Sequence, residues 1–102
     1  MPVPEFEEGL RTKSKPKADV PKMYRVILLN DHYTTREFVV EILVKVFQKP
    51  VQEATTIMLD VHRKGKGMVG VYTRDIAETK VSQVHYLAKQ REYPLRCMYE
   101  EA

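Results

Sequence analysis

Asn30-Asp31-His32-Tyr33-Thr34 sets an amide, a carboxylate, an imidazole, a phenol and a hydroxyl side by side, directly after the apolar run that ends in Leu28-Leu29. A helix signal begins within a few residues. Side chains at such a strand-to-helix junction sit on one rigid edge of a domain, and their donors and acceptors suit the capture of a small polar or charged group. A second group lies further along. Met58, Val61 and His62 stand at i, i+3 and i+4, so on a helix they form one contiguous strip. His62 would then stand at the rim of an apolar hollow made by Met58 and Val61. If the two segments meet, the product is an apolar hollow with a few convergent polar groups, the usual form of a small binding site. The plainer alternative is a turn in which Asn30 and Asp31 set the geometry and Thr34 caps the helix. That accounts for Thr34 and Asn30 but leaves Met58 to His62 unexplained.

Catalysis is disfavoured. The histidines at 32, 62 and 85, with Asp31, Asp60 and Cys97, show neither HExxH nor CxxC spacing. Asp60 and His62 are two apart on a helix and face different ways. Cys97 falls in a predicted core strand, where a free cysteine acts as a small hydrophobe. Ser14 and Ser82 are the only serines, and neither has a nucleophile-elbow context. No catalytic residue, metal or cofactor is expected. Gly67-Met68-Val69-Gly70 matches the letters of an RNA-clamping GXXG loop, but its middle is Met-Val entering a strand. A small RNA-binding α+β module is therefore the alternative function, and the weaker one. The net charge of +3 does not rescue it, because residues 1–22 carry five basic and four acidic residues and the remainder twelve and ten. A nucleic-acid binder concentrates its excess in a patch. The one local cluster, Arg63-Lys64-Gly65-Lys66, reads as a solvated helix end with cations near the C-terminal dipole.

The elements that must position these groups follow from periodicity. Residues 1–22 hold four prolines and no periodic apolar face, so they read as a flexible N-terminal extension; residues 23–102 form the folded domain. Residues 24–29 are a strand. Thr34 and Glu37 have capping-box spacing, and Phe38, Val39, Ile42, Leu43, Val46 and Phe47 follow at helical spacing. Lys49-Pro50 separates this helix from a second, whose Val51, Ala54, Met58 and Val61 share a face and which Gly65 stops. Residues 68–73 are a strand. Asp75 and Glu78 cap a third helix with Ala77, Val81, Val84 and Ala88 inward. Residues 95–99 are the last strand. The order β-α-α-β-α-β predicts an α+β domain, a small three-stranded antiparallel sheet covered by three helices. No apolar stretch reaches membrane-spanning length, and no secretory signal opens the chain. One cysteine cannot form an internal disulfide, so a cytoplasmic location is the default expectation.

Residues 24–40 (YRVILLNDHYTTREFVV), 54–62 (ATTIMLDVH), 70–80 (GVYTRDIAETK) and 94–97 (PLRC) resemble the ClpS family, adaptors that deliver N-degron substrates to a Clp AAA+ protease. NDxYT, MLxVH and AETKV in that order carry the resemblance, which spans nearly all of residues 24–102. It implies a non-enzymatic adaptor for proteins whose first residue is Leu, Phe, Tyr or Trp. By position, Asn30, Asp31, His32 and His62 would hydrogen-bond the free α-amino group. Thr34, Arg36, Val39, Ile42, Met58, Val61 and Leu95 would shape the side-chain pocket. Asp75 and Lys80 would lie on the face that docks the N-terminal domain of a ClpA-like or ClpC-like unfoldase, and the tail would help hand over the substrate. An α-amino group is mostly cationic at neutral pH and offers three donors, which suits an amide carbonyl, a carboxylate or a neutral imidazole nitrogen. Neither nucleic acid nor membrane is an expected partner, and a monomer is expected because no apolar face is left unexplained. Two residues depart from the family: His32 stands where many relatives have Asp, and Arg36 where Met is common. A protonated His32 would repel the amine, so binding is expected to weaken in mildly acidic solution. The long cation of Arg36 would open the pocket or add a bond to the substrate's second residue, so a looser or shifted preference is expected.

Overall fold

The computed structural model describes residues 20–102; most of the expected 1–22 extension lies outside them. The chain runs β1 (Met23–Leu29), α1 (Arg36–Lys45), α2 (Val51–Lys64), β2 (Lys66–Thr73), α3 (Arg74–Gln90) and β3 (Arg96–Glu101). The three strands form one antiparallel sheet in the order β2-β1-β3. This is the expected α+β class and element order. The central strand alternates. Val26 and Leu28 are fully buried in one cluster with Phe38, Leu43, Ala54, Val61, Val84 and Cys97, so they face the helices. α1 packs on α2, α2 on β2, and α3 crosses all three strands.

The opposite face of the sheet is not empty of apolar groups. Ile27 pairs with Met68 on one side and Met98 on the other. Met68 is 56% exposed, and Met23, Val71 and Met98 are exposed beside it. The expectation that no apolar face would be left over is therefore incorrect. Three helices cover only one side of a three-stranded sheet.

The caps differ from the expectation by one residue at the first helix. Thr35, not Thr34, is the N-cap of α1, and its hydroxyl accepts a 3.1 Å bond from the Phe38 N–H. At α3 the N-cap is Thr73, and neither Asp75 nor Glu78 caps it. The Glu78 carboxylate instead accepts from Arg74 Nε at 3.3 Å and from the Tyr99 hydroxyl at 2.9 Å. α2 ends as expected in Gly65, whose φ of 90° is the left-handed conformation that suits glycine, with its N–H donating to the Val61 carbonyl at 3.0 Å. Residues 67–70 lie inside β2 and do not join two helices. Gly67 is where β2 passes closest to α2: a Cβ there would lie 2.7 Å from Val61 Cγ2.

Two side chains act as structural ties. Lys80 Nζ donates to the Val46 carbonyl at 2.7 Å and stands 5.7 Å above the rings of Phe47 and Tyr72. It thereby closes the C-terminal end of α1. His85 Nε2 accepts the backbone N–H of Cys97 at 3.0 Å, which satisfies an outward donor of the edge strand β3. Burial pushes the Cys97 thiol up to about 12, in keeping with a core role.

Candidate functional site

β1 delivers Asn30 to the end of the sheet, and one backbone bond decides what it meets. The Asn30 N–H donates to the Gly65 carbonyl at 2.9 Å. This pins the polar turn to the C-terminal end of α2, so His62, three residues before Gly65, comes to the same place. The Asp31 carboxylate then organises the turn from within. One of its oxygens accepts from the N–H groups of Tyr33 and Thr34, both at 2.7 Å, and the other from the Thr34 hydroxyl at 2.7 Å. This is an Asx-type turn. Burial alone would raise the Asp31 pKa, but the bonds from Thr34 and Tyr33 and the nearby His32 outweigh it and hold the group below its ordinary value. Thr34 is drawn to Asp31, which leaves Thr35 to cap α1.

Between this turn, the start of α1 and the face of α2 lies a cavity of about 450 Å³. Asn30, Asp31, His32, Thr34, Arg36, Val39, Met58, Val61 and His62 all line it, as do Tyr33, Thr35 and Glu37. The two segments singled out in the sequence do converge. Ile42 and Leu95, expected in the pocket wall, are not among its lining residues. Both belong to the core cluster that Val39 and Val61 also join, at 1% and 4% exposure, and Leu95 borders a separate hollow with His85, Tyr93 and Pro94. Helical spacing gave Ile42 the right face of α1 but not its depth. Tyr33, named in the polar run but given no role in the pocket, is 78% exposed at its edge; an exposed aromatic in a turn leaves no periodic signal.

One polar contact crosses the cavity from α1 to α2. Arg36 Nη2 and His62 Nε2 are 2.7 Å apart. His32 is exposed. Asp75 is exposed in a hollow beside Lys22, Tyr24 and Arg74, whereas Lys80 is half-buried against Val46. Five residues separate them, so they point about 140° apart around α3 and do not form one patch. Among the described residues no cluster of three or more His, Cys, Asp or Glu could hold a metal ion, and no helix is long and apolar enough to cross a membrane.

The family model described as "ATP-dependent Clp protease adaptor protein ClpS" matches residues 19–98. The chain belongs to the ClpS family. A ClpS adapter protein of Syntrophus aciditrophicus is 59% identical over 96 residues, covering 94% of this chain and 90% of the relative. One from Acetivibrio thermocellus is 64% identical over 80 residues, covering 78% and 81%. Among solved ClpS structures, Agrobacterium tumefaciens ClpS2 bound to L-phenylalaninamide superposes with a TM-score of 0.78 at 43% identity, covering 80% of this chain and 99% of that one. ClpS proteins are thus what this chain resembles in sequence and in fold, and an adaptor of an ATP-dependent Clp protease is the role that the family carries.

Proposed function

We propose that this ClpS-family chain is a non-enzymatic adaptor that captures proteins by the free α-amino group of a bulky hydrophobic first residue and delivers them to a Clp AAA+ unfoldase. The observation that carries the reading is the convergence of the Asn30–Thr34 turn and the Met58–Val61–His62 strip on one cavity. The Agrobacterium relative's ligand supports it: L-phenylalaninamide has a free α-amine, a benzyl side chain, and an amide where a chain would continue.

In this reading the ammonium enters the polar side. The Asn30 side-chain carbonyl and the imidazoles of His32 and His62 offer acceptors, and the ionised Asp31, held inside the turn, supplies negative potential more than a direct bond. Val39, Met58 and Val61 take the first side chain, with Ile42 and Leu95 as buried support behind them, and Thr34 and Arg36 close the rim. Burying a Leu or Phe side chain contributes about 1.5–3 kcal/mol relative to exposure. A hydrogen bond to a charged group contributes about 1.5–3 kcal/mol, so loss of the amine should cost on the order of 100-fold in affinity. Asp75 and Lys80 contact the N-terminal domain of a ClpA-like or ClpC-like unfoldase from two sides of α3, and residues 1–22 help transfer the substrate. The adaptor works in the cytoplasm without cofactor, nucleic acid or membrane.

The test is binding of fluorescent Phe- and Leu-initiated peptides with free and with N-acetylated termini. Acetylation should abolish binding. Equal affinity for both forms would overturn amine capture.

A further inference from the structure

Arg36 is a cation to which, among the described residues, no carboxylate is bonded: the Asp31 carboxylate that lines the same cavity is taken up by Tyr33 and Thr34. Arg36 is the first residue of α1, next to the N-terminal, positive end of the helix dipole, where a basic side chain is disfavoured and an anion is favoured. It is exposed and lines the cavity. Among the described residues no carboxylate pairs with it: the ion pairs engage Lys22, Arg25, Lys45, Lys49, Lys64, Arg74 and Arg91 instead. Its one polar partner is a neutral acceptor, His62 Nε2, at 2.7 Å. A guanidinium has five N–H donors, so most of its capacity is left over.

Arg36 also shares the cavity with the site of amine capture, and this inference rests on that reading. The arrival of an ammonium beside a guanidinium is repulsive unless an anion stands between them. His62 Nε2 is already an acceptor for Arg36. An amine that takes that nitrogen releases the guanidinium, and an amine that does not take it leaves the guanidinium where it is. In both cases an unpaired cation remains at the rim, where the bound chain leaves its first residue. The next Cα along that chain is 3.8 Å on, within reach of a long, flexible arginine. A carboxylate there matches the guanidinium fork and accepts two parallel bonds. A lysine there adds a third positive charge. Glu37 is the opposing group, one residue further and about 100° around the helix, so its repulsion of an acidic side chain is offset in direction from the Arg36 fork.

The geometry points to Arg36 as a specificity-determining residue that reads the second position of the substrate and favours an acidic side chain there, so that the preferred N-terminus is a bulky hydrophobic residue followed by Asp or Glu.

The experiment uses the full chain and a peptide series Phe-X, with X as Asp, Glu, Ala and Lys, free and N-acetylated, at low and high salt. At low salt the acidic peptides should bind about fivefold tighter than Phe-Ala and Phe-Lys weaker still, with the spread shrinking as salt screens the rim. Arg36→Gln should collapse the spread, and Arg36→Lys should keep its order while narrowing it. All comparisons are made within one protein, so a change in overall stability does not affect them. Equal affinity across X in the parent would overturn the proposal, as would an unchanged spread in Arg36→Gln. Acetylated peptides that bind as well as free ones would sink amine capture, while the spread across X would still judge Arg36.

Discussion

Arg36 donates a hydrogen bond to Nε2 of His62 across 2.7 Å. A guanidinium can only donate, so Nε2 is the unprotonated nitrogen and the ring proton sits on Nδ1. Long-range proton–nitrogen correlation spectra of the free protein should therefore show His62 as the Nδ1–H tautomer. In Arg36→Met the tie is gone, and the ring should move towards the Nε2–H form. An Nε2–H ring in the parent would show that the pair does not form in solution.

Lys80 is built into the fold, and this changes how its substitution must be read. Lys80→Met leaves the Val46 carbonyl without its 2.7 Å donor. An orphaned, part-buried acceptor costs about 1–3 kcal/mol, and each kcal/mol lowers Tm by about 4–8 °C in a domain of this size. Asp75→Ala removes an exposed side chain with no described partner, so its stability should stay within about 0.5 kcal/mol of the parent value. Thermal unfolding of both variants checks this. An unchanged Tm in Lys80→Met would show the tie to be idle. A loss of unfoldase binding in Asp75→Ala would report docking directly, whereas in Lys80→Met it must first be corrected for stability.

The Asp31 carboxyl sits below its ordinary value in the folded state because Thr34 and Tyr33 bond its charged form. The unfolded chain then binds more protons than the folded one, so this group stabilises the fold above the ordinary carboxyl range, and the contribution fades as pH falls through the depressed folded value. Between neutral and mildly acidic pH Asp31 stays ionised, so it contributes nothing to a change in peptide binding there. Asp31→Asn keeps an oxygen for the Tyr33 and Thr34 N–H groups. Its Tm should approach that of the parent in strong acid and fall below it towards neutrality. A difference in Tm that does not vary with pH would refute the assignment.

Gly67 forms the back of the cavity wall at one remove. A methyl group there would meet Val61 Cγ2 at 2.7 Å and the Ile57 carbonyl at 3.3 Å. Replacing glycine stiffens the unfolded chain, a gain of about 0.4–1 kcal/mol, but overpacking costs about 1–3 kcal/mol. Gly67→Ala should therefore be less stable. It should also bind Phe-initiated peptides more weakly, since Val61 is displaced towards the cavity that it lines. Parental stability and affinity would show that the strand simply moves aside.

Much of this was legible in the chain. The run of β-formers before Asn30, the helical spacing from Phe38 and the glycine at 65 fixed the elements to within a residue or two, because each signal is local. The cap could not be assigned that way. Thr34 and Thr35 are adjacent, and the choice between them is made by Asp31, whose carboxylate holds the Thr34 hydroxyl. Depth was equally hidden: Val39 and Ile42 share a face of α1, yet only Val39 borders the cavity. The Arg36–His62 contact spans 26 residues and needed the tertiary fold to appear. The leftover apolar face became visible only through the register that sets Ile27 between Met68 and Met98.

One bond at the far end of β1 has a mechanical meaning. The Ala102 N–H donates to the Met23 carbonyl at 2.9 Å, so both ends of the folded body meet there. The cavity opens at the other end of the same strand, about 20 Å away at 3.3 Å per residue. A load gripped in the cavity and a pull on the residues before Met23 therefore act along the axis of the central strand. That strand is held on both sides by antiparallel ladders. Such a pull stretches the crosswise hydrogen bonds together, in shear, rather than opening them one after another like a zip.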